Sequence, residues 1–522
     1  MASLQDAASL SDRTVTPSPP PAPAPKILEA GLHGLPVSAT TTLDIEHAQV
    51  ADDPRAWSTA RKYMTLAIIA TACLVATMGV NIYNPAINDI KKELGATDQE
   101  ISLSIALFVI VQGTTPLLWS AVSEIKGRKY VYIISMLMFT VGCAVAAAST
   151  HIGVLIGMRV VQALGSSVAS AIGAATLADI YDRQERGTKL GIYYSVPLIG
   201  PSLGPLVGGI ITDVFNWRAT FWFLVILGGL MWLCFVFLFK DTFRRERSLT
   251  YQRALKHARI AAAKKKLEHH GPRPPSRRST TQQKGLDDVK LTLADVNPWH
   301  PLRMIVRRIN NLTILIPSGL INAFIYSVSY TCVRTFSAAP YYYDPLHIGL
   351  VLLAFGVGNV LGSIAGGRYS DYLREKCKAD PARQATAETR LDGAMIVMWM
   401  LPPSVVLYAW FAQEHIHVAA VCVALFFAGF SSIWIYTATL AYIVDANVGR
   451  SSAAAATNSC FRGVAGFVSA EIAVPIQDAI GDAGLYMIWA GLMVVMELMV
   501  LLTAKRGKVW REKVEEHEAA KA

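Results

Sequence analysis

The chain has 522 residues, 53% of them hydrophobic and only 16% charged, where an average globular protein carries roughly a quarter. That balance excludes an ordinary soluble enzyme. The net charge of +10 does not describe a nucleic-acid surface either: residues 240–310 alone hold 18 Lys/Arg against 6 Asp/Glu, an excess larger than the whole chain's.

Residues 1–60 are polar and rich in Pro, Ser and Thr, with PSPPPAPAP at 17–25, and are expected to form a disordered tail. No basic start leads into a short apolar core, so insertion is expected to rely on the first span. Apolar segments long enough to cross a bilayer then follow at 63–87, 101–121, 130–149, 152–178, 189–211 and 218–239. A second set follows at 311–337, 347–367, 391–411, 417–442, 452–476 and 483–504. The expected fold is therefore all-α, with twelve transmembrane helices in two six-helix bundles. The bundles cover 61–240 and 311–504, joined by a basic loop at 241–310 and followed by a tail at 505–522. Nearly all Lys and Arg lie in the even-numbered loops, which places both termini in the cytoplasm. The seven cysteines are odd in number and lack metal-ligand spacing, so no disulfide framework, metal or cofactor is expected.

The fifth span carries the densest signal. Gly191–Gly209 reads GIYYSVPLIGPSLGPLVGG, with Gly191, Gly200, Gly204, Gly208 and Gly209 mostly at helical spacing. Such a stripe lets another helix approach closely, while Pro197, Pro201 and Pro205 each remove a backbone donor. Gly358, Gly362 and Gly366 in the eighth span repeat at i+4 and are the expected partner. The loops after spans 2 and 8 form a weak repeat, SAVSEIKGRK (120–129) and GRYSDYLREK (367–376). Glu124 and Asp371 each stand four residues after a small residue, followed by cations, a pattern suited to an ionic latch at the cytoplasmic gate.

Together these features resemble the major facilitator superfamily over about 63–504. The span-5 motif of its antiporters, G-x8-G-x3-G-P-x2-G-G, is matched by Gly191, Gly200, Gly204, Pro205, Gly208 and Gly209. DDPRAWS, IYNPAI at 82–87 and DTFRRERSLTYQRAL are similar to the fungal twelve-span drug:proton antiporters of the quinidine-resistance type. In the loop 2–3 motif, Gly127, Arg128 and Lys129 match, whereas Ser120, Glu124 and Ile125 depart and Lys126 falls one position late.

Arg159, in R159-VV-Q162-AL-G165, shares a helix face with Gln162. The resemblance implies a role in proton transfer or substrate binding; an arginine bonded to carbonyls to hold helices together is the other reading. Thr77, Asn81, Asn84 and Asn88 line a stripe in span 1; Asn322 and Tyr326 lie in span 7, Trp434 and Tyr436 in span 10, and Asn458 and Arg462 in span 11. In the resembled fold spans 1, 4, 7 and 10 line the central cavity, where aromatic and amide groups suit amphipathic or cationic substrates, and the span-11 pair is a further pathway candidate. Glu471 is nine residues beyond Arg462, on the opposite helix face, and is the candidate proton carrier with Asp445 as an inner-gate alternative. The function expected is a multidrug efflux transporter: alternating-access export of small organic compounds, drugs or polyamines included, in exchange for protons, with the plasma membrane as the expected location. A sugar facilitator or symporter is the alternative. No P-loop or Ser/His/Asp set points to ATP-driven pumping or hydrolysis.

Overall fold

The apolar segments fold as helices, and no strand occurs among the described residues of the computed structural model, which are 50, 52–181, 183–244, 252, 299–379, 386–447 and 451–519. All belong to one contact unit, Ile45–Ala522. The expected tail up to residue 49 and most of the basic loop fall outside the described residues.

The first half comprises α1 Thr59–Asn81, α2 Ile87–Leu94, α3 Asp98–Thr114, α4 Pro116–Lys126, α5 Arg128–Ala147, α6 Ile152–Ile180, α7 Arg183–Val214 and α8 Trp217–Phe237. The second holds α9 Trp299–Val306, α10 Ile309–Ser337, α11 Pro345–Ala379, α12 Thr389–Asp392, α13 Met395–Met398, α14 Leu401–Gln413, α15 Val418–Asp445 and α16 Ser451–Ala519. Breaks fall where the backbone loses donors. Pro85 sits in the 3-10 turn Asn84–Ala86 that separates α1 from α2. Pro116 opens α4 after Thr115, whose hydroxyl bonds back to the Val111 carbonyl at 2.6 Å, and the α3–α4 pair is bent by 42°.

Nine helical stretches among the described residues are long and apolar enough to cross a membrane, or ten if the bent pair counts as one span. A shorter apolar helix, Leu203–Val214, ends proline-bearing α7, and the longest of the nine stretches is Ala453–Val514. The latter is 62 residues long and is interrupted at Gly481, whose φ of 71° and ψ of 179° break the helix. Large apolar side chains face outward, among them Ile226, Phe237 and Trp399, 69%, 76% and 82% exposed. Such exposure suits a hydrocarbon solvent rather than water.

Within the first half α1 packs on α7, and α5 on α6 and α8; within the second, α10 packs on α16 and α11 on α15. Between halves, α7 meets α11 and α3 meets α16. The cores divide accordingly. Leu66–Ala76, Val131–Cys143 and Leu224–Phe239 contribute to a core confined to the first half, toward the Glu124 end. Tyr83, Ile87, Ile101, Ile105 and Phe221 instead join Phe324, Phe336, Tyr408 and Trp489 in one core shared by both halves, toward the Asp98 end.

Local chemistry fixes the helix ends. Thr97 caps α3 in a capping box with Glu100, the carboxylate accepting from the Thr97 backbone N–H at 2.8 Å and the Thr97 hydroxyl accepting from the Glu100 N–H at 3.2 Å. Thr97→Ala removes the bond to the hydroxyl while keeping the one from the backbone N–H, and at this exposed end is expected to cost about 1 kcal/mol; a lowered detergent melting temperature checks this. In the described stretch before α1, Asp52 pairs with Lys240 and Arg244 beyond α8, and its hydrogen bond to the Lys240 ammonium holds the carboxyl below its ordinary range.

Candidate functional site

The span-5 glycines serve close approach, but to α1. A methyl at Gly200 would overlap the Thr77 hydroxyl, one at Gly208 would overlap the Ile82 carbonyl oxygen, and one at Gly204 would stand 3.0 Å from the Met78 carbonyl. Gly191 lies in the same helix. The expected pairing with the eighth-span glycines is corrected by the structure. Gly358 and Gly362 abut the Phe426 and Phe430 carbonyls, and Gly366 abuts Trp434 and Thr437, all of α15. The fifth and eighth spans meet through another set: Gly209 beside the Pro345 carbonyl, and Gly349 beside that of Pro205. Glycine spacing announces a close neighbour without naming it. A second close crossing between halves joins Gly113 of α3 to Gly463 of α16.

Arg159 is fully buried at the place where α1 ends. Its Nη1 donates to the Gly79 carbonyl at 2.6 Å and to Gln162 Oε1 at 2.8 Å, and its Nη2 donates to the Val80 carbonyl at 3.0 Å. Carbonyls at a helix C-terminus lack intrahelical donors and carry the negative end of the dipole, which suits a cation. The guanidinium also lies over the Tyr83 and Phe108 rings, 4.4 and 4.1 Å from their centroids. Asn81 and Asn84 are buried beside the same break, the Asn84 amide donating to Asn81 Oδ1 at 3.4 Å.

Arg462 forms the corresponding cluster in the second half. Its Nη1 donates to the Tyr436 hydroxyl at 2.7 Å and its Nη2 to Asn322 Oδ1 at 2.8 Å, while the Asn322 amide donates to the Arg462 carbonyl at 2.9 Å. Asn458, one turn away, is buried. Tyr326 packs on Val80, Phe108 and Ala163 and is in electrostatic reach of both arginines. Trp434 is not in this group; its indole donates to the Gly393 carbonyl at 3.0 Å. Glu471 has one buried carboxylate oxygen without a hydrogen-bond partner. Among the described residues, no group of three His, Cys, Asp or Glu could hold a metal ion.

At the Glu124 end each half carries its own ion network. Gly127, with φ of 92°, turns the chain between α4 and α5 in a conformation glycine adopts freely, and the Arg128 N–H donates to Asp241 at 3.0 Å. The Arg128 side chain reaches Glu124 at 3.1 Å and Asp179 at 3.2 Å, and Lys129 donates to the Val236 carbonyl at 2.9 Å. In the second half Asp371 pairs at 2.7 Å with Arg390, which also holds Asp445 at 3.0 Å and Ser370 at 3.1 Å. The sequence repeat locates both acids but misses Arg390, because the cation opens the following span instead of following the acid directly.

The sequence matches the profile of the Major Facilitator Superfamily over residues 69–470, most of the chain. The chain belongs to this superfamily. It is accordingly a multi-pass integral membrane transporter and not an enzyme. Its relatives include the MFS antiporter QDR3 of Candida albicans, 26% identical over 88% of this chain and 80% of that protein. Citrate exporter 1 of Aspergillus niger is 27% identical over 91% and 92%, and quinidine resistance protein 3 of Saccharomyces cerevisiae 23% over 88% and 84%. These agree with the branch that DDPRAWS, IYNPAI and DTFRRERSLTYQRAL resemble.

Proposed function

We propose that the protein exports a small organic compound by alternating access, in exchange for protons, from the cytoplasm across the plasma membrane. The observation that carries this reading is the placement of contacts between halves. Ser102 of α3 donates to the Ala470 carbonyl, the Tyr330 hydroxyl to the Asp98 carbonyl at 3.3 Å, and Arg334 reaches Asp98 at 4.0 Å. These ties between halves lie toward the Asp98 end, and the ion pairs described at the Glu124 end join Arg128 to Glu124 and Asp179, and Arg390 to Asp371 and Asp445. The ties support a state closed at the Asp98 face, with the α7–α11 and α3–α16 crossings as the places about which the halves would rock.

Twelve spans follow if α3–α4 is one, α7 is another, and α16 is divided at Gly481; its 69 residues measure about 100 Å at 1.5 Å per residue, far more than one crossing. An even count with the basic loops on one side puts both termini and the Glu124 end in the cytoplasm. Residues 61–240 and 311–504 are then the moving halves, Gly200–Gly209 the packed seam, and the Arg159 and Arg462 clusters the pathway. Relatives named as antiporter, exporter and resistance protein support outward transport. A proton can drive it only by binding the two states with different affinity, with Glu471 as the candidate carrier.

Inside-out vesicles carrying the protein are expected to accumulate substrate under a proton gradient and to lose at least nine-tenths of that uptake when an ionophore collapses it. Uptake indifferent to the gradient would instead assign a facilitator.

A further inference from the structure

The charge left over by the gates is positive. Arg159 and Arg462, one from each half, are both in electrostatic reach of Tyr326, and neither forms an ion pair with a carboxylate among the described residues. Their hydrogen-bond acceptors described above are neutral: two carbonyls and an amide oxygen for Arg159, a hydroxyl and an amide oxygen for Arg462. Both Nε atoms are buried without a hydrogen-bond partner, and Arg159 as a whole is fully buried. Neutral dipoles solvate a guanidinium but leave its charge uncompensated in a low-dielectric site. The nearest acid in sequence, Glu471, is turned about 180° from Arg462 on the helix, while Asp179 and Asp445 are engaged by Arg128 and Arg390.

We infer that this site takes an organic anion, a small carboxylic acid. The inference rests on the transporter pathway proposed above and names its substrate class. The planar guanidinium of Arg462 matches a carboxylate with two parallel hydrogen bonds. Asn322 and Tyr436, now accepting from that guanidinium, carry an amide and a hydroxyl that can turn to donate to the acid. Arg159, over the Phe108 ring, is the cation for a second carboxylate, and Phe108 and Tyr326 give the carbon skeleton an apolar surface. An organic cation, the class suggested by the aromatic lining, would meet two like charges with no counter-ion.

The test is binding of radiolabelled citrate to the purified full-length protein in nanodiscs, without a proton gradient. Saturable binding is expected, displaced by unlabelled di- and tricarboxylic acids and not by quinidine. Arg462→Gln should weaken it at least ten-fold, Arg462→Lys less, and Lys508→Gln on the distant α16 extension not at all. Asn322→Asp places a carboxylate against the guanidinium; it should weaken citrate at least as much as Arg462→Gln, so a folding failure of one variant leaves the other. Melting curves identify folded variants. Absence of saturable binding by any of these acids, or citrate affinity unchanged in folded Arg462→Gln and Asn322→Asp, overturns the inference. Acids that bind but are not exported would overturn the export reading alone.

Discussion

Gly208→Ala is expected to abolish transport, whereas Gly204→Ala, one turn earlier on the same stripe, should keep at least half of it. In a helix interior, alanine is favoured over glycine by about 1 kcal/mol, so the sign at each position depends on what the methyl meets. At Gly204 it would stand 3.0 Å from the Met78 carbonyl, a contact relieved by a few tenths of an ångström. Cost and gain nearly cancel there. At Gly208 the methyl would overlap the Ile82 carbonyl oxygen, with that residue's carbonyl carbon also crowded. Neither group is a side-chain end that can swing aside, so α7 must leave α1, at an overpacking cost of about 3 kcal/mol or more. The displaced segment is the end of α1, whose Gly79 and Val80 carbonyls hold Arg159. The damage should therefore reach the pathway. Vesicle uptake and melting temperature of the two variants check this; equal behaviour would mean that the seam is loose enough to absorb a methyl anywhere.

Much of this was legible in the sequence, for identifiable reasons. Spans are legible because burying a backbone in lipid demands long apolar helices, and Arg159 because a charge inside one stands out. The partner of Arg159 was less so. Treating Thr77, Asn81, Asn84 and Asn88 as one stripe assumes an unbroken period of 3.6, yet the turn at Asn84–Ala86 ends α1 and exposes the carbonyls that the arginine binds. Tyr436 and Asn322 become a site only through a tertiary contact with Arg462, which no spacing encodes. The glycine stripes show the same limit: i+4 spacing is common to Gly200–Gly208 and Gly358–Gly366, but the first faces α1 and the second α15. Gly113 and Gly463, single glycines that meet across the halves, offer no pattern at all.

The two gate networks look alike in sequence but should not fail alike. Arg128→Gln is expected to reduce transport at least ten-fold and to destabilise the fold by about 3 kcal/mol, against about 1 kcal/mol for Arg390→Gln. The reason is burial. The Arg128 side chain is 4% exposed and its partners Glu124 and Asp179 are 18% and 21% exposed, so removing the cation takes its compensating charge from two carboxylates with little water to solvate them. Arg390 is 11% exposed, but Asp371 is 72% exposed and is rehydrated at once, leaving only Asp445 at 29%. Lysine should not rescue position 128. One ammonium cannot replace a fork that reaches Ser123, Glu124 and Asp179 together. If stranded charge is the cause, Asp179→Asn added to Arg128→Gln should recover part of the lost stability, a coupling readable in a double-mutant cycle of denaturant melts. Additive losses would show instead that Arg128 acts through its packing over the Phe243 ring, 4.9 Å from the guanidinium, and not through its charge.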